Sequence, residues 1–137
     1  MIKRLRRGES GQAMLEFALI LPIFLLILCG IIDFGWLFYN QLALNNICRE
    51  GARYAIVNTE EKTQADILSH IDAFIDSNYA IQDVDVGITY SKPTDPLSGD
   101  VTVAVSREFS YLTPIISTVT GQPTRILSAE VVMKVES

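Results

Sequence analysis

Residues 11–58 read GQAMLEFALILPIFLLILCGIIDFGWLFYNQLALNNICREGARYAIVN, and the architecture of the chain follows from them. From Phe17 to Tyr39 there are 23 residues with a single charge, at Asp33. An α-helix rises about 1.5 Å per residue, so about 20 apolar residues cross the hydrocarbon core of a bilayer. The stretch therefore predicts one transmembrane helix.

The helix is expected to continue beyond the membrane as a stalk. Between Asn40 and Val57 the composition is amphipathic, with apolar and polar residues mixed and no helix breaker. Gly51 disfavours the helix by about 1 kcal/mol relative to alanine. Pro22 lacks a backbone N–H and predicts a bend within the membrane. We therefore predict one helix over residues 12–57, which would extend for roughly 65–70 Å.

The residues before the apolar stretch set the expected orientation. Residues 1–11 read MIKRLRRGESG and carry Lys3, Arg4, Arg6 and Arg7. Basic residues beside a membrane span stay on the cytoplasmic side, so this leader predicts a cytoplasmic N-terminus and an exported C-terminal domain. A cleavable secretory signal fits poorly, because the apolar run is too long and no clear Ala-x-Ala site follows it.

Two carboxylates interrupt the apolar stretch, and each allows two readings. Glu16, near the inner end, is either hydrated at the cytoplasmic interface or paired with a cation from another molecule, such as the α-amino group of a neighbouring copy. Asp33 follows 17 residues later, about 25 Å along a helix. We expect Asp33 to reach the outer headgroup layer and to be solvated there, with a shared structural role left open.

The same stretch resembles a known family. Gly11-Gln12-Ala13-Met14-Leu15-Glu16-Phe17, after a short basic leader, resembles the processing site of type IV pilins and pseudopilins. Leu21-Pro22, the run from Gly30 to Gly35 and Arg49-Glu50-Gly51-Ala52-Arg53 extend the likeness to TadE-like minor pseudopilins of the tight-adherence (Tad/Flp) pilus. The resemblance covers residues 11–55.

The resemblance implies that a prepilin peptidase cleaves the chain between Gly11 and Gln12. Glu16 would then be the fifth residue of the mature chain, the position that pilins use in assembly to neutralise the new N-terminus. The implied partners are the prepilin peptidase, other pilins and pseudopilins of the same pilus, the inner-membrane assembly platform and the lipid bilayer. The implied location is the bacterial inner membrane, with a possible presence in the pilus.

The remainder, residues 58–137, reads as a small exported domain. A helix start at Thr63-Gln64-Ala65-Asp66 precedes apolar residues at helical spacing, which predicts a helix over 64–76. Alternating patterns at 84–90, 101–105 and 127–135 predict three strands, and Lys92–Asp100 predicts a long hairpin loop. Pro114 opens a short helical passage that Gly121 and Pro123 close. The fold class is therefore α+β and pilin-like, with a helix and about three antiparallel strands beside the long helix.

Composition argues against enzymatic and nucleic-acid-binding functions. The 137 residues carry a net charge of -5, and four of the 11 Lys and Arg residues lie in the leader. The remaining basic residues are outnumbered by acidic ones and form no basic stripe for phosphates. No catalytic residue, metal site or cofactor is predicted: His70 has no metal-spaced partners, and a calcium site at Asp95 and Asp100 lacks regular ligand spacing.

The two cysteines lie 19 residues apart on the predicted helix, about 28 Å, which is too far for a disulfide. Cys29 and Cys48 are therefore expected to be small apolar side chains, with at most an intermolecular contact through Cys48.

These patterns lead to one main hypothesis and one alternative. The main hypothesis is a non-enzymatic TadE-like minor pseudopilin with a leader at 1–11, a transmembrane and stalk helix at 12–57 and an exported domain at 58–137. The alternative is an uncleaved bitopic membrane protein whose exported domain binds a ligand or a partner protein.

Overall fold

The computed structural model describes residues 6–58, 61–92, 94 and 99–135, with side chains from residue 11 onward. Within these ranges the elements are α1 (Arg6–Asn58), α2 (Gln64–Asn78), β1 (Asp85–Tyr90), β2 (Gly99–Ser110), α3 (Pro114–Thr120) and β3 (Thr124–Val135). Residues 1–5 of the predicted leader, and residues 93 and 95–98 of the predicted hairpin loop, lie outside the described part. The predicted α+β fold class is confirmed.

The long helix α1 is one continuous element of 53 residues, or about 80 Å. It begins at Arg6, six residues before the predicted start, because Arg and Glu are good helix formers and Gly8 and Gly11 weaken a helix without breaking it. Pro22 lies inside the helix, where its missing N–H leaves one backbone bond unmade.

The chain divides into two compact units. The first comprises Met1–Trp36 with Tyr111–Pro123, and the second Leu37–Ser110 with Thr124–Ser137. In the first unit, α3 follows the fixed backbone of Pro114 at its first position and ends at Gly121. Gly121 has φ 69°, the left-handed conformation that favours glycine after a helix. The short helix predicted between Pro114 and Gly121 is confirmed.

In the second unit the three strands form an antiparallel sheet in the order β1-β2-β3. The alternating apolar residues form the inward face, with Val103 paired to Ile88 on one side and to Val131 on the other. β2 runs to Ser110, five residues beyond the predicted Val105, because Phe109 continues the buried row. The predicted strands are confirmed, and the second is longer than expected.

The helix α2 covers the same face of the sheet as the second half of α1. Thr63 caps it through a reciprocal capping box with Asp66, so aspartate serves here where glutamate is more usual. Burial of Ile67, Ile71 and Ile75 places one stripe of α2 in the core. The buried residues of α1 that complete this core are Ala43, Leu44, Ile47, Cys48, Ala52 and Ala55.

Gly51 explains how closely these elements pack. A Cβ built on Gly51 would lie 2.8 Å from Ile71 Cδ1 and 3.4 Å from Val103 Cγ1. The glycine that weakens the helix locally therefore allows α2 and β2 to approach the α1 backbone. Its lower helix propensity is offset by tertiary packing.

Candidate processing and membrane site

The residues of the predicted processing site lie on the exposed N-terminal part of α1. Gly11, Gln12 and Glu16 are all exposed, and Gln12 Nε2 donates to Glu16 Oε1 at 3.4 Å. Residues four apart share one helix face, so the helix places the new N-terminus that cleavage would create one turn from the Glu16 carboxylate. At 3.4 Å this hydrogen bond from the Gln12 side chain is weak.

Gly11 has no packing role within the described chain. A Cβ at this position would meet nothing within 4 Å, and the backbone is helical. Alanine would be the better helix former by about 1 kcal/mol. The chain's own fold therefore gives no reason for glycine at position 11, in contrast to Gly51.

The apolar stretch of α1 is exposed. α1 is long and apolar enough to cross a membrane, with an 18-residue window of mean hydropathy 2.8 that is 0% buried. Large apolar side chains such as Phe17 and Ile31 are more than 60% exposed. Exposure of this extent needs a cover in water, and hydrocarbon supplies one. The helix fits the predicted transmembrane segment.

Asp33 is buried, so the expectation of a solvated side chain is wrong. It is 2% exposed, and its Oδ1 accepts the backbone N–H groups of Leu112 at 2.8 Å and Thr113 at 3.0 Å. The Thr113 hydroxyl donates to Oδ2. A carboxylate with three donors does not need to reach water. Asp33 therefore fixes the chain entering α3 to α1, which is the structural role that the sequence left open.

The sequence contains local signals at Asp33 and at Thr113-Pro114, but nothing that connects the two. A carboxylate inside an apolar membrane helix costs free energy unless it is paired. The sequence around Asp33 therefore indicates that hydrogen-bond donors should lie nearby. The Thr113-Pro114 pair also marks a helix start. What the sequence lacked was a link between two sites separated by 79 residues.

The Arg49–Arg53 motif has a packing role and a surface role. Gly51 and Ala52 are buried against the second unit's core, while Arg53 Nη2 contacts Glu50 Oε1 at 2.7 Å on the surface. The hydrogen bond from Arg53 lowers the pKa of Glu50 below its ordinary value. An exposed ion pair of this kind adds little stability. The motif therefore contributes to the stability of the fold mainly through its buried residues, Gly51 and Ala52.

The two cysteines are free, as expected, and Cys48 is fully buried. The Cys48 sulfur lies over the strands, 3.2 Å from the Val103 carbonyl oxygen and 3.1 Å from that of Ala129. Burial raises the pKa of the Cys48 thiol to about 11, so it remains neutral and unreactive. Its environment favours the role of a small core side chain over an intermolecular contact.

The remaining polar candidates form no reaction centre in the described ranges. His70 is half-buried and stacks on Tyr54, with ring centroids 3.6 Å apart, so it is a packing residue at the α1–α2 contact. Among the described residues no group of three or more His, Cys, Asp or Glu side chains could hold a metal ion. Asp95, considered for calcium, lies outside them.

Together these features define a class of protein. The part of the chain that the structure describes has one helix whose apolar half is long enough to span a membrane and whose second half packs on a small α+β domain. Residues 11–53 match the family described as TadE-like protein. This match confirms the resemblance of the N-terminal helix to that family and supports a protein associated with the Tad pilus. No curated protein and no solved structure matches the chain.

Proposed function

We propose that this chain is a minor pseudopilin of a Tad/Flp-type pilus, cleaved after Gly11 by a prepilin peptidase and active in pilus assembly. The observation that carries the proposal is the family match, which begins at Gly11 and includes Glu16. The function needs no catalytic residue or cofactor in this chain.

The surroundings of Gly11 support a role in recognition by a peptidase. Gly11 is exposed and has no contact that requires glycine. A residue without a side chain lets an enzyme approach the backbone closely. The helical conformation at this position in the uncleaved chain must open for the peptide bond to enter an active site, and Gly8 and Gly11 make that opening easier.

Glu16 has the properties expected of a group that binds a cation from outside the uncleaved helix. The side chains three and four residues away on the same face, from Gln12, Ala13, Leu19 and Ile20, are all uncharged. Cleavage would create a positively charged α-amino group at Gln12. In a medium of low dielectric, pairing that charge with Glu16, on the same or a neighbouring subunit, removes a large penalty for both groups.

The orientation follows from the leader. Lys3, Arg4, Arg6 and Arg7 favour a cytoplasmic N-terminus, so the α+β domain is exported from the inner membrane. The proposed partners are the prepilin peptidase, the inner-membrane assembly platform and the other pilins of the same pilus, with lipid around the apolar half of α1.

Cleavage is tested by replacing Gly11 with leucine. We expect the precursor, heavier by residues 1–11, to accumulate in the membrane, while N-terminal sequencing of the parent protein begins at Gln12. Gly30→Leu is the matched control, because a Cβ at Gly30 also meets nothing within 4 Å. Normal processing of Gly11→Leu, or a parent protein that starts at Met1, would contradict the proposal.

Assembly is tested by Glu16→Ala and Glu16→Gln. Both proteins should be cleaved and inserted, yet fail in pilus production and in co-purification with other pilins, because the amide keeps the shape of glutamate and lacks its charge. Glu130→Ala, which removes an exposed carboxylate from β3, should behave as the parent. Normal piliation of both Glu16 variants would reduce Glu16 to an interfacial glutamate.

A further inference from the structure

Residues Tyr111–Pro123, here called the 111–123 segment, form an uncharged insertion between β2 and β3. The sequence is YLTPIISTVTGQP, with five large apolar residues and no charge in 13 positions. The segment contains α3 and belongs to the same compact unit as the apolar half of α1. None of the residues of α3 is buried, so this helix contributes little to a core of its own.

The apolar side chains of the 111–123 segment are exposed. Leu112 is 56% and Val119 71% exposed, while Ile115 and Ile116 are half-buried. An exposed apolar side chain is ordinary when it occurs singly on a soluble surface. Here the exposed side chains belong to an uncharged segment that is bonded to a helix whose own apolar surface is exposed, and both belong to one compact unit.

The hydroxyl groups of α3 are satisfied by its own backbone. Ser117 Oγ and Thr118 Oγ1 donate to the Pro114 carbonyl at 2.9 and 2.7 Å, and Thr120 Oγ1 donates to the Ile116 carbonyl at 2.8 Å. Hydroxyl groups that donate back to helix carbonyls lose less on leaving water. The polar side chains of α3 are therefore compatible with a partly dehydrated environment.

Asp33 sets the depth of the segment. Its carboxylate accepts the N–H groups of Leu112 and Thr113, so the start of α3 lies at the level of residue 33 in α1. Asp33 is 17 residues, or about 25 Å, from Glu16 along the helix, and the hydrocarbon core is about 30 Å thick. With Glu16 at the inner boundary, the level of Asp33 is within about 5 Å of the outer boundary.

We propose that the 111–123 segment lies in the outer headgroup layer of the bilayer, with Leu112 and Val119 against lipid and Asp33 as the bond that holds it there. The protein then meets the membrane twice, through the spanning helix and through this interfacial segment. The proposal rests on the membrane-spanning part of the proposed function and is independent of cleavage at Gly11.

Lipid fits this surface better than a second protein chain. The segment is short and uncharged, it is bonded to Asp33 near the outer end of the apolar half of α1, and it exposes apolar side chains in the same compact unit as that half. An interfacial helix of this kind lies in the membrane plane with its apolar side chains at the boundary of the acyl chains. Because it carries no charge, its lipid contact should not depend on anionic lipid or on salt.

The test places a single tryptophan in the full-length protein reconstituted in phosphatidylcholine vesicles, with Trp36 replaced by phenylalanine. Val119→Trp, and independently Leu112→Trp, should show blue-shifted emission that brominated lipid quenches, most strongly with bromine near the headgroup. Adding phosphatidylglycerol or salt should leave this quenching unchanged. Aqueous iodide should quench these variants weakly.

Two control positions separate failure of the proposal from failure of the membrane span. Phe24→Trp, in the middle of the apolar half of α1, should be quenched most by deep bromines, and loss of that signal would overturn the span and the proposal together. Val57→Trp is the matched aqueous control, since Val57 is 73% exposed near the end of α1. It should respond to iodide only.

Three results at position 119 would overturn the proposal while Phe24→Trp behaves as expected. The first is quenching by iodide as strong as at position 57. The second is a blue-shifted emission that neither quencher affects, which would indicate a protein cover such as a second copy. The third is quenching by bromolipid only when anionic lipid is present.

Discussion

Gly51→Ala tests the close approach of α1, α2 and β2 directly. The new Cβ would lie 2.8 Å from Ile71 Cδ1, 3.2 Å from Ile71 Cγ1 and 3.4 Å from Val103 Cγ1. Carbon atoms pack best at about 3.5–4.0 Å, so the first two distances are too short. Ile71 is 1% exposed, so its side chain cannot turn out into solvent.

Two opposing effects set the magnitude. Alanine is better than glycine in a helix by about 1 kcal/mol, whereas overpacking a core costs about 1–3 kcal/mol. Since two atoms of a fully buried side chain must move, we expect the cost of overpacking to exceed the gain in helix propensity. The free energy of unfolding should fall by about 1 kcal/mol for Gly51→Ala, and further for Gly51→Val, whose branched side chain adds volume and loses helix propensity.

The assay is urea unfolding of the full-length protein in detergent micelles, followed by circular dichroism and analysed for the α+β domain. Gly87→Ala is the control, because a Cβ at Gly87 would lie 3.9 Å from the Ala104 carbonyl oxygen, an ordinary van der Waals distance. It should change the stability by less than about 0.5 kcal/mol.

A double-mutant cycle decides whether the Ile71 contact is the cause. Ile71→Val removes Cδ1, the atom nearest the new methyl group, and should alone cost about 0.5–1.5 kcal/mol. In the Gly51→Ala background the same change should cost less, or stabilise, because it relieves the contact. Additive effects of the two substitutions, or a Gly51→Ala protein more stable than the parent, would show that the contact with Ile71 does not limit the packing at Gly51.

Three further predictions concern Asp33, Cys48 and the orientation of the chain. Asp33→Ala should speed hydrogen exchange at the Leu112 and Thr113 amides, which donate to that carboxylate; unchanged exchange would contradict its anchoring role. Burial raises the pKa of Cys48 from its ordinary value of 9.0 to about 11, so between these two pH values the unfolded chain loses the thiol proton while the folded chain keeps it. The free energy of unfolding should therefore fall as the pH rises through this range. Cys48→Ala should remove this part of the pH dependence in a series of urea midpoints. A reporter that fluoresces only in the cytoplasm, fused after Ser137, should stay dark, whereas a bright membrane-bound fusion would reverse the orientation.

The elements that the sequence predicted are those with a local signal. α2 follows from its capping residues and the spacing of its isoleucines, and the strands follow from alternation, because both periodicities result from backbone geometry alone. Pro114 and Gly121 mark the ends of α3 for similar reasons. The alternating pattern predicts β2 only as far as Val105, because Arg107 interrupts the apolar row on the inward face of the strand. In the folded chain the Arg107 guanidinium packs 4.6 Å from the centre of the Phe109 ring.

The features that the sequence could not predict depend on partners far away in the chain. In the sequence, Gly51 indicates only a weaker helix. Its packing role becomes evident in the structure, where Ile71 and Val103 lie beside it. In the sequence, Cys48 is only a small apolar residue. In the structure, its sulfur lies next to the carbonyl oxygens of two strands. In both cases the local propensity is unfavourable or neutral, and the tertiary contact decides the role.

The two carboxylates of the apolar helix illustrate the same point and separate their functions. Asp33 obtains three donors from the chain itself, so its charge is met before any other molecule binds. Glu16 receives one weak bond from Gln12 at 3.4 Å and has no basic residue within one turn on its face. Burying it in a bilayer or a fibre would therefore require a cation from elsewhere. For this reason Glu16, and not Asp33, is the carboxylate that we assign to assembly between subunits.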